Sequence, residues 1–305
     1  MTSDYPRDLQ GYGSVPPHPR WFNGARIAVS FVLNYEEGGE RTILDRDPCS
    51  ENYLVPEISQ VPALAGERAF SVESLYEYGS RSGFWRILRL FNERRMAFTC
   101  WAVGSALARN PHAATAMVEG GHEVASHSWR WFDYSAMSED EERQHIRMTV
   151  DTIKRLTGQG PRGWYTGRFS VNTRRLVMEE APEVLYDSDS YNDDLPYWIK
   201  VGERPRLIVP YALDTNDFKF SLSPGWTSGE DFTSYLKAAF NHLYREGALA
   251  PKMMSVGLHC RLTGRPGRAE ALSRFLDYVA AQKDVWVCRR EEIARHWMKH
   301  FPANG

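Results

Sequence analysis

Gly121-His122-Glu123-Val124-Ala125-Ser126-His127-Ser128-Trp129-Arg130-Trp131 is the stretch on which the fold reading turns. Gly121 to Ser128 reads as a strand with polar residues gathered at its end. His122 and His127 are five residues apart, so on a strand they point to opposite faces. They cannot readily bind one metal ion together. His122 therefore reads as structural, and His127 as facing the C-terminal end of the strand.

Outward from this segment, short β-branched runs alternate with helical patterns. Arg26 to Leu33 predicts a buried strand, and Ala97 to Val103 another. Between them Phe84, Ile87, Leu88 and Phe91 have the 3–4 spacing of an amphipathic helix. Ser138 with Glu141 three residues on is a capping box opening a long helix, and Gly158 marks its stop. Gly163–Thr166, Val184–Asp189, Leu207–Leu213, Met253–His259 and Val285–Cys288 are further strand candidates. Helical patterns over Asp231–Tyr244 and Arg268–Ala281 separate the last three. Such alternation argues for an α/β fold with a mainly parallel sheet, and so many repeats favour a (β/α) barrel. At 305 residues, one barrel domain over 1–305 is expected. It carries a long loop insertion at about 35–83, where Gly, Pro and charge show no clear periodicity.

Polar residues collect just past these strands. Asn34-Tyr35-Glu36-Glu37-Gly38-Gly39 follows the first, His127-Ser128-Trp129 the third, Asp187-Ser188-Asp189 another, and His259 closes Met253–His259. In a parallel barrel those ends converge on one mouth. A lone strand-end histidine is more often hydrogen-bonded scaffold; four polar strand ends at one mouth argue for a site.

Composition narrows the ligand. Lys and Arg (37) nearly balance Asp and Glu (39), leaving no basic footprint for nucleic acid. No stretch approaches the roughly 20 apolar residues of a membrane helix. Met1-Thr-Ser-Asp-Tyr-Pro-Arg7 lacks the apolar core of a signal peptide. Cys49, Cys100, Cys260 and Cys288 are far apart and form no CxxC pair, which fits a reducing cytoplasm. A small, roughly neutral ligand suits this balance better than a polyanion.

The run from Gly121 to Trp131 resembles the Gly-His-Glu…His-Ser/Thr-x-x-His motif of the polysaccharide deacetylases, the NodB-homology family. The resemblance implies a distorted (β/α) barrel whose metal is held by one Asp and two His. Here the first ligand His matches His127, while Trp131 stands at the second. The family's two motif-one acids fall on Val32 and Asn34 in one register, or on Glu36 and Glu37 in a shifted one. Its Arg-Pro-Pro-Tyr-Gly motif corresponds to Trp164-Tyr165-Thr166-Gly167-Arg168, with Tyr165 at the Arg position and Arg168 at the Tyr position. The final Leu-His is kept as Leu258-His259. A catalytic zinc normally keeps three protein ligands, and one imidazole will not hold it.

This pattern of loss is similar to one branch of the family, the metal-independent bacterial allantoinases of purine breakdown. The likeness lies in Asn34-Tyr-Glu-Glu-Gly38, Ser126-His-Ser-Trp-Arg-Trp131, Gly163-Trp-Tyr-Thr-Gly-Arg168 and Leu262-Thr-Gly-Arg-Pro-Gly-Arg268. The resemblance implies a hydrolase that opens a cyclic ureide, allantoin to allantoate, with no metal and no cofactor, assembled as a homotetramer. Glu36 is the candidate base, with Glu37 as its alternate, and His259 the general acid. His127 completes the catalytic set. Asn34, Trp131, Tyr165, Arg168 and Glu37 are candidate substrate contacts, with Arg168 using its planar fork of donors. Trp129 and Trp164 are further candidates to wall a flat ring, or are simply core. The competing reading is a metal-dependent deacetylase of an N-acetylated sugar, with Glu36, His127 and Asp133 improvising a site.

Overall fold

The computed structural model describes residues 7–58 and 61–303, so most of the N-terminal segment read above lies outside the described residues. The chain begins its sheet with β1 (Ile27–Tyr35). Two helices, α1 (Phe70–Tyr78) and α2 (Phe84–Glu93), lead to β2 (Thr99–Ala102). Then come α3 (Gly104–Arg109), α4 (Pro111–Glu119), β3 (Glu123–Ser126), α5 (Glu139–Thr157), β4 (Gly163–Trp164), α6 (Thr173–Glu180) and β5 (Tyr186–Asp187). A hairpin of β6 (Tyr197–Val201) and β7 (Arg204–Ile208) precedes α7 (Gly229–Glu246) and β8 (Lys252–His259). The last elements are α8 (Pro266–Ala280), β9 (Val285–Val287) and α9 (Arg290–His300).

All nine residues of β1 are buried, because both faces of the strand are covered. Phe31, Leu33 and Tyr35 pack under the helices, and Ala28 and Val32 point into the barrel interior beside Trp101, Tyr165 and Tyr211. The sheet order is β6-β7-β5-β4-β3-β2-β1-β8, and every pairing is parallel except β6 with β7. β9 lies against the first residues of β1, Ile27 to Val29. After β7 the chain swings back to β8, where Gly257 N donates to Thr215 O at 3.2 Å. The sheet is thereby curled into the distorted barrel the alternation implied.

α5 opens as expected: Ser138 and Glu141 form the capping box, and Gly158 ends the helix in the left-handed region at φ 83°. The loop insertion is shorter than expected. From Phe70 onward it is helical, because α1 runs through a π turn (Gly79–Gly83) straight into α2. Two glycines make that wide turn useful. A side chain at Gly79 would collide with the Glu37 carboxylate, and one at Gly83 with the carbonyl of Cys260. The turn thus presses directly on the two segments that carry the polar cluster.

Candidate active site

The C-terminal ends of β1, β3, β4 and β8 surround a cavity of about 200 Å³. Asn34, Glu36, His127, Tyr165, Arg168 and His259 line it together with Tyr53, Leu54 and Trp131. Asn34 is the last inward-facing residue of β1, and its amide donates to Leu258 O at 3.0 Å and Tyr211 Oη at 3.3 Å. Glu36 is the next inward position, 1% exposed.

Glu36 is the centre of the cluster. Its Oε1 stands 3.3 Å from His127 Nε2 and 3.4 Å from His259 Nε2, and its Oε2 is 2.8 Å from Arg261 Nη1. Each imidazole is oriented from behind. His127 Nδ1 lies 3.1 Å from the carbonyl of Tyr165, an acceptor only, so that nitrogen carries the proton and donates. Ser128, directly after it, takes a left-handed φ of 61° that turns the chain sharply out of the strand. His259 Nδ1 donates to Asp217 Oδ1 at 2.6 Å. Asp217 Oδ2 accepts from His259 N at 2.8 Å and Thr263 Oγ1 at 2.6 Å, so the carboxylate is itself fixed.

The electrostatics follow from burial and these partners. Burial alone would raise the Glu36 pKa, but the His259 and Arg261 charges and the imidazole hydrogen bonds hold it well below the usual carboxylate range. Burial opposes charge on His259, yet Glu36 and Asp217 outweigh it and raise its pKa to about 9. At neutral pH the pair is carboxylate and imidazolium, a base and a charged proton donor side by side.

The two neighbouring glutamates are separated in role. Glu37 is buried but does not reach the cavity; its Oε2 accepts from Glu36 N at 3.0 Å, and its side chain lies against Gly79. Burial, with Glu36 nearby, raises its pKa. The substrate contact and alternate base expected of Glu37 are therefore corrected: its carboxylate faces away from the cavity. Of the three tryptophans, Trp131 alone borders the cavity. Trp129 packs on Gly104, and Trp164 sits in a core with Leu176 and Val177. Arg168 lines the cavity, its guanidinium 4.8 Å above the Trp131 ring and Nη2 donating to Trp131 O at 3.3 Å.

Asp189 does not line the cavity as its strand-end position suggested. Its carboxylate instead accepts from Thr166 N and Gly167 N, at 2.6 to 3.0 Å, and shapes the turn that presents Arg168. Asp133 is exposed, bonded to Ser135 N at 2.8 Å, and is no part of the cluster. His122 is structural: it stacks on Phe98 at 3.7 Å and accepts from Phe98 N, and burial lowers its pKa to about 4. Arg261 and Asp217 escaped the sequence reading. Arg261 belongs to the turn after β8, where its spacing from His259 carries no strand signal, and Asp217 approaches from 42 residues away in sequence.

A divalent ion of the kind the resemblance implies does not fit this donor set. Trp131 presents an indole at the second imidazole position, and the Asn34 amide is spent on Leu258 and Tyr211. The remaining carboxylate already has a guanidinium at 2.8 Å, whose charge repels a dication. Among the described residues no group of three or more His, Cys, Asp and Glu side chains is arranged to hold a metal.

Comparison with known proteins identifies the family and the fold. A family model described as polysaccharide deacetylase matches residues 67–181. A Schizosaccharomyces pombe protein assigned by name to the polysaccharide deacetylases is 45% identical over 97% of this chain and 98% of its own. Two crystal structures superpose with a TM-score of 0.95. One is a Pseudomonas aeruginosa protein also named for polysaccharide deacetylase, 55% identical, covering 98% of this chain and 100% of that one. The other is the PuuE allantoinase, 54% identical, covering 99% of this chain and 100% of that one.

Proposed function

The chain belongs to the polysaccharide deacetylase family, and we propose that within it this protein opens the ring of a cyclic ureide, hydrolysing allantoin to allantoate. The observation that carries the reading is the cavity. At about 200 Å³, with Tyr53, Leu54 and Trp131 beside the polar cluster in its lining, it has room for one small ring rather than a polymer strand. The likeness to the PuuE allantoinase along essentially the whole chain supports the same substrate.

In this reading water sits against Glu36 and adds to the ring carbonyl carbon beside the ureido-bearing carbon. Glu36 takes a proton from the attacking water as the C–O bond forms. The ring C–N bond then breaks, and the His259 imidazolium gives its proton to the departing nitrogen, which becomes a second ureido arm. His127 holds Glu36 and the water in line. Asn34, Tyr165 and Arg168 position the ring, and the Arg168 fork is suited to paired carbonyl oxygens.

The deciding experiment is a substrate screen with chelator-treated enzyme. Allantoin should be turned over at an undiminished rate after chelation, ahead of hydantoin and dihydrouracil, and added zinc should not raise the rate. Release of acetate from N-acetylglucosamine oligomers, dependent on a bound metal and without ureide turnover, would overturn the reading.

A further inference from the structure

Against the Glu36 carboxylate lies a charged group that has no part in the reaction above. Arg261 is 2% exposed, and its guanidinium lies between two aromatic faces, 4.1 Å from the Tyr76 ring centroid and 5.2 Å from that of Trp131. Its Nε donates to Leu54 O at 3.1 Å. Nη1 is 2.8 Å from Glu36 Oε2 and 3.5 Å from Glu37 Oε1. Among the described residues, neither Nη1 nor Nη2 makes a hydrogen bond of good geometry, and Glu36 Oε2 accepts none. The contact between them is a close, fully buried ion pair.

Two adjacent buried carboxylates need a compensating cation, since an unpaired buried charge is costly. The resemblance implies that the family meets that need with a divalent ion held by the His at position 127, a second His and an Asp. In this chain the second position is Trp131, and its indole is a face on which Arg261 rests. One residue thus removes a ligand and supports the replacement charge. We infer that Arg261 is the resident cation of this site: it fixes Glu36 beside His127 and His259 and keeps a divalent ion away from them. Arg261 acts through Glu36 and is a positioning residue. The inference rests on the reading of Glu36 as base, but its metal arm needs no substrate.

The test compares wild type with Arg261→Gln and Arg261→Lys, using Co(II) as a visible probe alongside ureide kinetics. Wild type should show no specific Co(II) spectrum. With the guanidinium gone, Arg261→Gln should let Glu36, His127 and His259 close onto Co(II), and should lose that spectrum when His127→Ala is added. Its kcat should fall by ~10²-fold or more, with KM moving far less. Arg261→Lys should recover at least part of that loss and exclude Co(II). Wild type that binds Co(II) as tightly as Arg261→Gln would overturn the inference, as would near-normal kcat in Arg261→Gln. Should Arg261→Gln fail to fold, the wild-type titration and Arg261→Lys still decide: Co(II) bound by either sinks it. If wild type turns over no ureide at all, the proposed reaction fails, while the Co(II) arm continues to judge Arg261 alone.

Discussion

Glu36 and Glu37 are adjacent in sequence and opposite in environment, and kinetics should separate them. Glu36→Gln keeps the shape and removes the base, so kcat on allantoin should fall by ~10²–10⁴ with little change in KM. Glu37→Gln should leave most of kcat, because that side chain does not reach the cavity. The reverse order in parallel assays would move the base to position 37. His259 supplies a second residue-scale test. Its pKa is raised from 6.5 to about 9 by Glu36 and Asp217 against burial. The stabilisation from that charge is complete below pH 6.5 and disappears as pH rises through about 9. Activity that needs its proton should fall over the same alkaline range. Asp217→Asn removes one of the two carboxylates and should move the alkaline limb of the kcat/KM profile toward neutrality; an unmoved limb would detach His259 from the acid step. Glu36, His127 and His259 were legible in the sequence because each ends or follows a strand, where the barrel gathers side chains. Asp217 and Arg261 were not, since only the closure of the barrel brings Asp217 under His259, and only the packing of α1 places Tyr76 beneath the guanidinium.

At the scale of elements, the legible parts were those with their own local signal. The Ser138–Glu141 box announced α5, and the spacing of Phe84, Ile87, Leu88 and Phe91 announced α2. α1 gave little, because only Val72 and Tyr76 of its nine residues are buried, too few for a visible stripe. β6 lies at the sheet edge with no buried residue, so it carries no alternation, and Pro205 hides the first residues of β7, whose strand signal begins only at Leu207. These elements differ in how closely they serve the cavity. Ser138→Ala should cost about 1 kcal/mol of stability with kcat unchanged, as a lost helix cap far from the cluster. Gly83→Ala should lower both the melting temperature and kcat, because its new methyl group pushes on Cys260, between His259 and Arg261. Thermal melts and initial rates on both variants test the contrast. A Gly83→Ala enzyme that melts early but turns over normally would show that the π turn supports the fold alone.

For the molecule as a whole, one curled sheet separates two packing regions: Phe31, Phe91 and Phe275 meet under the outer helices, and Trp101, Tyr165 and Tyr186 fill the interior. Among the described residues, no helix is long and apolar enough to cross a membrane. We propose a tetramer, in which the 35–83 insertion, with Leu44 and Phe70 about two-thirds exposed, supplies buried surface between subunits. Sedimentation at micromolar concentration should give a species four times the 35.0 kDa chain, and a stable monomer would refute it. The pairing of β1 has a consequence in time. This first and longest strand, buried along its whole length, meets β2 early on one side, but on the other takes its neighbours from β8, about 225 residues later, and from β9 beyond it. A chain emerging from the ribosome at about 5–20 residues per second would hold β1 without those partners for roughly ten seconds or more. Throughout that interval Glu36 has neither His259 nor Arg261, so the growing polypeptide is both inert and sticky. Chaperone demand during synthesis, rather than the stability of the finished barrel, would then set how much active protein a cell obtains.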